Sequence, residues 1–287
     1  MSGPASIIAS GLIGSVSALS HELTSSDSLL RTPLALSRRI GFVQLRGGSG
    51  ASATAGYVAS MLARRRAGMV LGVNASAGEA NMLWQAGLTR LANGASDHHR
   101  RSHPSSATDA RAGLPVGSTG LIGLDLARDH LTASAGTWFE QVTPIARFYD
   151  LVITDWGVRH RQIDLRQVAR ASHVVCLVAR ADRYPAEEAA ALVPALAEVE
   201  DQPRVVVVLV DVGRTAERTP QLLRSQLPVP VLSIPYDSRR ANAQPVASRN
   251  LPSRTRLAYA RVCTALMAEA VKPAYRRLVA AVDGRPS

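Results

Sequence analysis

The sequence is almost free of lysine and cysteine. Lys272 is the only lysine, so the formal net charge of +11 and the pI near 10.8 come from the 32 arginines among the 33 basic residues. Such an arginine excess has two explanations, genome composition or a surface that binds polyanions. Cys176 and Cys263 stand alone in apolar runs, which argues against a disulfide framework or a cysteine metal site. Buried thiols in a reducing cytoplasm are expected instead.

The sequence also has no predicted signal peptide or membrane span. Residues 5–19 are apolar, but the first basic residue is Arg31, and a signal peptide begins with positive charge. Glycine and serine interrupt this run, which is shorter than the roughly 20 residues that a membrane helix needs. We expect residues 1–37 to form a docking helix or a flexible arm. At the other end, residues 274–282 have no long apolar face, so packing on the domain is favoured over peripheral membrane contact.

Composition and patterning predict one α/β domain over residues 38–287. Apolar residues make up 46% of the chain and charged residues 19%, as in globular proteins. Short, β-branched apolar runs alternate with helical patterns, which predicts a doubly wound, mostly parallel sheet with helices on both faces. The predicted strands are 40–45, 69–74, 121–126, 150–155, 173–178, 204–210 and 229–234. The predicted helices include 51–66, 131–148, one opened by Pro185 with Glu187 and Glu188 in its first turn, and 253–282.

Residues 93–119 are polar and rich in serine, glycine and proline, which predicts a long loop. This segment contains His98, His99 and His103. No cysteine or carboxylate partner accompanies them at metal-ligand spacing, so we do not predict a metal site there.

A glycine-rich turn follows the first predicted strand. Gly47, Gly48, Ser49 and Gly50 separate the apolar run from a helix that starts at Ala51. Residues without side chains let backbone N–H groups converge on an anion at a helix N-terminus, so the turn predicts a phosphate cradle. In the pattern G-x-x-x-x-G-K-[ST] a lysine reaches the phosphates, and alanine occupies that position here. The cradle is predicted, but its cation is missing.

This turn resembles the deviant Walker A loop of the MinD and ParA type ATPases, K-G-G-x-G-K-T-T. Arg46 takes the place of the first lysine and Ala51 that of the second. Ser52 and Ala53 replace the threonines, and Ser52 keeps a hydroxyl for Mg²⁺.

The resemblance extends over about residues 38–270. Val-Asn-Ala-Ser at 73–76 is similar to the family's V-D-A-D, with Asn74 in place of the first acid. Asp155 ends a strand that resembles the Walker B element, and Ile-Pro-Tyr-Asp at 234–237 resembles the segment near the base site. The resemblance implies a P-loop NTPase fold and weak binding of Mg-ATP or Mg-ADP. The implied nucleotide residues are Arg46, Gly47, Gly48, Ser49, Gly50, Ala51, Ser52, Ala53, Asn74, Asp155, Pro235, Tyr236 and Asp237, with Ser52 and Asp155 on Mg²⁺.

The substitutions in the nucleotide motifs and the excess of arginine leave three functions open. The first is a pseudo-ATPase that works as a homodimer, or as a heterodimer with a competent ATPase of the same fold. The second is an active ATPase that uses Arg46, supplied across a dimer, in place of lysine. The third is non-specific DNA binding by arginines. Leu29-Leu-Arg-Thr-Pro33 and Gly120-Leu-Ile-Gly-Leu124 also resemble MinD-like proteins associated with actinobacterial type VII secretion, which implies a secretion-machinery partner.

Overall fold

The sheet of the computed structural model has seven strands, and every pair is parallel. The structure describes residues 26–88, 95–127, 131–160, 164–199, 203–214, 219–240 and 244–272. Its strand order is β3-β2-β4-β1-β5-β6-β7. The strands are β1 Arg38–Gln44, β2 Val70–Asn74, β3 Ile122–Asp125, β4 Leu151–Val158, β5 Val174–Arg180, β6 Arg204–Val210 and β7 Val231–Ile234. The predicted doubly wound α/β fold is confirmed.

Helices cover both faces of this sheet. Residues 26–31 are helical and are named α1. The others are α2 Ala51–Arg65, α3 Met82–Gln85, α4 Ala95–Ser102, α5 Ala107–Ala110, α6 Ala135–Ala146, α7 Asp164–Ala171, α8 Arg183–Ala190, α9 Val193–Ala197, α10 Thr219–Gln226 and α11 Ser253–Val271, with a short 3₁₀ turn at Ser248–Asn250. One core cluster lies under α6 to α9 and the other under α2, α3 and α11, which explains why the strands are apolar on both faces.

The prediction of a loop over residues 93–119 is wrong in part, because α4 and α5 lie within it. Local polar contacts hold these helices rather than a periodic apolar face. The Ser106 hydroxyl caps α5 by accepting the Asp109 N–H at 3.1 Å, and the buried Arg101 guanidinium donates to the Ala112 carbonyl.

Two other predicted helices begin elsewhere than expected. The helix assigned to start at Pro185 begins at Arg183, so Glu187 and Glu188 lie beyond its first turn. The helix expected over residues 131–148 spans Ala135–Ala146, because Ser134 caps its N-terminus through the Thr137 N–H.

The part of the N-terminal segment that the structure describes, from residue 26 onward, packs on α2. Leu30 is fully buried, and the Arg66 guanidinium donates to the carbonyls of Leu30 and Thr32 at 2.8 and 2.9 Å. Arg65 pairs with Asp27 at 3.0 Å. Residues 26–31 thus form a packed helix, whereas the predictions for residues 1–25 and 273–287 lie outside the described residues. Within the described ranges no helix is long and apolar enough to cross a membrane.

Candidate functional site

The glycine turn leaves a helix N-terminus open to an anion. Gly48 and Gly50 have φ of 77° and 81°, which lets the chain reverse direction before α2. No side chain caps α2, and its first turn holds no acidic residue. A Cβ built on Gly47 or Gly48 meets no protein atom within 4 Å. Open space therefore borders the turn at Gly47 and Gly48, whereas a Cβ on Gly50, the residue before α2, would lie 3.4 Å from Val210. The first-turn N–H groups without intrahelical partners and the positive end of the helix dipole suit an oxyanion.

Position 51 supplies no charge to this turn. Ala51 is 1% exposed and packs in the cluster beneath α2. Ser49 is buried and turned inward, donating its hydroxyl proton to the Arg46 carbonyl at 3.0 Å, while Ala53 is half-buried on the same helix.

The residues predicted to hold Mg²⁺ lie together. Asp155 lies within β4 and has no exposed surface, and the strand continues to Val158. Burial raises the pKa of its carboxyl group, while the Ser52 hydroxyl and the N–H groups of Gly157 and Met82 lower it. Gly157 donates to Oδ1 at 3.0 Å, whereas Oδ2 has no hydrogen-bond partner among the described residues. A hydroxyl and a carboxylate with a spare oxygen are ligands that suit Mg²⁺, so this pair fits the metal.

Asn74 is held by a carboxylate on the neighbouring strand. Its Nδ2 donates to Asp125 Oδ1 at 2.8 Å, and its Oδ1 accepts the Ser76 N–H at 3.1 Å. In the sheet, Asn74 lies in register with Asp125 on one side and Asp155 on the other. The resemblance implies an acid at position 74. The structure instead has Asp125 on the adjacent strand, at the same carboxyl edge of the sheet.

Arg46 folds back onto its own chain. Its Nε donates to Glu188 at 2.8 Å, and its guanidinium lies 5.1 Å from the centre of the Tyr184 ring. The hydrogen bond to Glu188 raises the pKa of Arg46. Because the Arg46 side chain is 53% exposed, this ion pair contributes little to stability and can be exchanged for another partner.

A buried arginine lies at the same edge. Arg159 follows β4, and its backbone N–H donates to the Gln44 carbonyl at the end of β1 at 3.0 Å. Its guanidinium donates to the carbonyls of Trp156, Ala75 and Ala133 at 2.8, 3.0 and 2.8 Å. Burial lowers its pKa, and the charges of Asp164 and Asp155 raise it.

The Ile-Pro-Tyr-Asp segment lies after β7, three strands from β1. Arg214 covers the Tyr236 ring at 4.6 Å. Asp237 is nearly buried, with Oδ1 accepting the Arg239 N–H at 3.1 Å and Oδ2 without a partner in the described part of the chain. No hydrogen bond of the described residues joins Pro235, Tyr236 or Asp237 to the glycine turn.

Solved structures with the same architecture are known. A ParA family ATPase from Chlorobium tepidum TLS superposes with a TM-score of 0.59 at 17% identity, over 79% of this chain and 98% of the other. MinD from Pyrococcus horikoshii OT3, complexed with Mg-ADP, gives 0.59 at 16% identity over 79% and 94%. The MinC:MinD complex of Aquifex aeolicus gives 0.60 at 17% identity over 82% and 98%. The fold is that of the MinD and ParA ATPases. No protein-family model and no curated protein matches the sequence.

Within this MinD/ParA fold, the structure brings together the glycine turn, Ser52, Asn74 and Asp155 at the carboxyl edge of the sheet. This is where parallel α/β sheets bind ligands. The sequence analysis missed Asp125 and Arg159. Asp125 could have been predicted as a site residue, because it is a polar residue at the end of a predicted strand. For Arg159 there was none, because two of the carbonyls that it contacts, those of Ala75 and Ala133, are distant in sequence.

Proposed function

We propose that this protein is a catalytically impaired nucleotide-binding member of the MinD/ParA type, acting through association rather than ATP turnover. The observation that carries the proposal is the uncapped N-terminus of α2, with Gly47 and Gly48 facing open space beside Ser52 and Asp155. This arrangement supports weak binding of a nucleotide phosphate through backbone N–H groups. Bound Mg²⁺, held by Ser52 and Asp155, would neutralise phosphate charge.

Impaired hydrolysis is expected from the side chains at positions 51 and 74, beside the glycine turn. Phosphoryl transfer depends on cations that stabilise the transition state and on a group that orients the attacking water. Ala51 provides no cation, and Asn74 is engaged by Asp125. The alternative, an active ATPase that relies on Arg46, requires the guanidinium to leave Glu188 and Tyr184.

Association is supported by apolar side chains at the carboxyl edge of the sheet. Val158 closes β4, Tyr184 lies in the first turn of α8 and Val212 follows β6; their exposures are 45%, 64% and 36%. Exposed apolar side chains at the sheet edge that carries a ligand site suit contact with a protein partner. We infer that the partner is a second copy of this chain or a competent ATPase of the same fold in the cytoplasm, and that a component of the secretion machinery is a further partner.

A substitution at Gly47 tests the nucleotide site without disturbing the fold. A Cβ at Gly47 meets no protein atom, so Gly47→Val leaves the chain unstrained but fills the space an anion would take. Titration calorimetry with ATP and ADP, in Mg²⁺ and in EDTA, should show weak binding by the parent and none by Gly47→Val. Gly136→Ala on exposed helix surface is the control and should bind like the parent. Absence of binding by the parent, or unchanged binding by Gly47→Val, contradicts the proposal.

DNA binding is a second candidate, favoured by one surface. Arg254 and Arg256 occupy the first turn of α11, where the helix dipole disfavours cations. Arg64, Arg239 and Arg249 are also exposed, and none of these five arginines pairs with an acid among the described residues. Duplex DNA binding should then weaken steeply with salt, and Arg254→Ala with Arg256→Ala should reduce the slope. If the double variant binds duplex DNA like the parent, this surface is not the DNA-binding site.

A further inference from the structure

Arg180 is the last residue of β5, the strand that pairs with β1. Successive side chains of a strand point to opposite faces of the sheet. Cys176 and Val178 belong to the core cluster under α2, whereas Ala179 belongs to the cluster on the other face. The side chain of Arg180 therefore leaves the sheet on the face that carries α2, at the carboxyl edge.

The register of the sheet places Arg180 beside the glycine turn. Arg180 is paired with Val210 of β6, which also packs against the cluster under α2. A Cβ on Gly50 would lie 3.4 Å from Val210 Cγ1, and neighbouring strands are about 4.8 Å apart. Toward β1, Ala179 lines a small cavity together with Ser49 of the turn. The end of β5 thus borders the glycine turn from two sides.

The guanidinium of Arg180 is held by one exposed ion pair. Its Nε donates to Asp182 Oδ2 at 2.7 Å, and the two side chains are 45% and 30% exposed. Such a pair contributes little to stability, so an anion can compete for the guanidinium. Neither Nη atom has an acceptor in the described part of the chain, which leaves four N–H donors for a ligand. Arg46, by contrast, is bonded to Glu188 on α8, in the opposite layer.

A buried oxygen in the same turn of α2 also indicates a ligand. Asp155 is fully buried and interacts with the Ser52 hydroxyl, yet its Oδ2 has no hydrogen-bond partner among the described residues. A buried carboxylate oxygen needs a partner. A divalent cation that accompanies a polyphosphate would provide one.

We propose that Arg180 contacts the phosphates of a polyphosphate bound at the glycine turn, and that Asp182 holds its guanidinium until the ligand arrives. This rests on the proposed function, since it assigns a contact in the same nucleotide site. The positive charge that Ala51 does not supply then comes from the neighbouring strand β5. The planar fork of an arginine matches the oxygens of a phosphate.

A second ion pair of the same geometry serves as the control. Arg183 and Glu187 on α8 are exposed, and their distance from Nε to the carboxylate oxygen is also 2.7 Å. The test variants are Arg180→Gln, Asp182→Asn and the double variant, since asparagine can still cap α8. The control variants are Arg183→Gln, Glu187→Gln and their double variant, which change the net charge equally.

The probes are ATP and inorganic pyrophosphate, titrated by calorimetry in Mg²⁺ at about 0.15 M salt, where exposed charges more than about 8 Å apart are largely screened. Arg180→Gln should bind both probes about tenfold more weakly than the parent, as expected for the loss of a charge-assisted hydrogen bond. Asp182→Asn should bind them about two to five times more tightly, because the guanidinium no longer has to leave a carboxylate. That gain should disappear in the double variant. The controls should stay within about twofold of the parent.

A folded Arg180→Gln that loses less than about fivefold relative to Arg183→Gln contradicts the contact with the ligand. A gain from Asp182→Asn that is equally large without Arg180 also contradicts it, because the effect is then general electrostatic attraction. If circular dichroism shows that Arg180→Gln does not fold, Asp182→Asn and Glu187→Gln decide, and equal binding by these two overturns the proposal.

The two probes separate this proposal from the proposed function. A parent that binds pyrophosphate but not ATP contradicts the nucleotide function, and Arg180 is then judged on pyrophosphate. A parent that binds neither probe overturns both proposals. Binding of ATP by the parent that Arg180→Gln leaves unchanged overturns only the assignment of Arg180.

Discussion

Replacing Ala51 by lysine should restore the missing phosphate contact at a cost in stability. A charge-assisted hydrogen bond contributes about 1.5 to 3 kcal/mol, and each 1.4 kcal/mol is about tenfold in affinity, so Ala51→Lys should bind ATP about 10 to 150 times more tightly. Ala51 is only 1% exposed, so the longer side chain must leave a packed cluster. Overpacking of this kind costs about 1 to 3 kcal/mol of unfolding free energy.

The gain in ATP affinity and the loss of stability in Ala51→Lys have separate control variants. Ala51→Met has a long side chain without charge, so it should lose stability and gain no affinity. Ala53→Lys adds the same charge on half-buried helix surface two residues away and should gain little. ATP at about 100 times its Kd should return roughly 2.7 kcal/mol to Ala51→Lys in thermal or denaturant unfolding.

The measurements are equilibrium titration of ATP and urea unfolding with and without ATP. If Ala51→Lys binds ATP no better than Ala51→Met, the glycine turn is not a phosphate site, and the proposed function loses the observation that carries it. If Ala53→Lys gains as much, the effect is general electrostatic attraction rather than a contact at the turn.

Further predictions concern turnover, pH, packing and association. The purified protein should show no ATP turnover above a buffer control in a phosphate-release assay; a rate proportional to protein and abolished by Arg46→Ala would favour the active ATPase instead. Burial lowers the pKa of His173 to about 4 from 6.5, so the unfolded chain binds more protons between these values and stability should fall as pH drops from about 6.5 to 4. Urea unfolding of His173→Gln should show a smaller fall over that range, and an equal fall assigns the effect to other groups. Trp138→Phe removes the buried 3.0 Å bond from Nε1 to Thr154 Oγ1 and should cost about 1 to 3 kcal/mol in urea unfolding, whereas Trp138→Phe with Thr154→Val should recover part of it. Light scattering at several concentrations, alone and with a competent ATPase of this fold, should detect association that Val158→Asp weakens; a strict monomer that leaves such a partner's turnover unchanged would end the association model.

The central sheet could be predicted because its strands are continuous apolar runs. Residues 204–210 form β6 as expected, and 174–178 of the predicted strand 173–178 lie in β5, since buried parallel strands need apolar side chains on both faces. Helices α4 and α5 could not be predicted in this way. They depend on single polar contacts, such as Arg101 with the Ala112 carbonyl, that periodicity does not encode.

The candidate site was predictable only where it follows the order of the chain. The glycine turn and Asp155 could be located from motifs and strand ends. Asn74 pairs with Asp125, which is 51 positions away in the sequence, and Arg46 pairs with Glu188, which is 142 positions away. Both pairings depend on which strands become neighbours in the fold. Local patterns carry no information on those partners.

The contact between Asn74 and Asp125 restricts which side chain position 74 can carry. Asn74→Asp would replace an amide donor 2.8 Å from Asp125 Oδ1 with a second carboxylate, while Asp155 stays in register on the other side. Two carboxylates at that distance cannot both be ionised, so one would hold a proton at neutral pH. Asn74→Asp alone would thus give a pair of carboxyl groups that shares one proton. Aspartate at position 74 would therefore carry a charge of its own only when Asp125 is replaced as well.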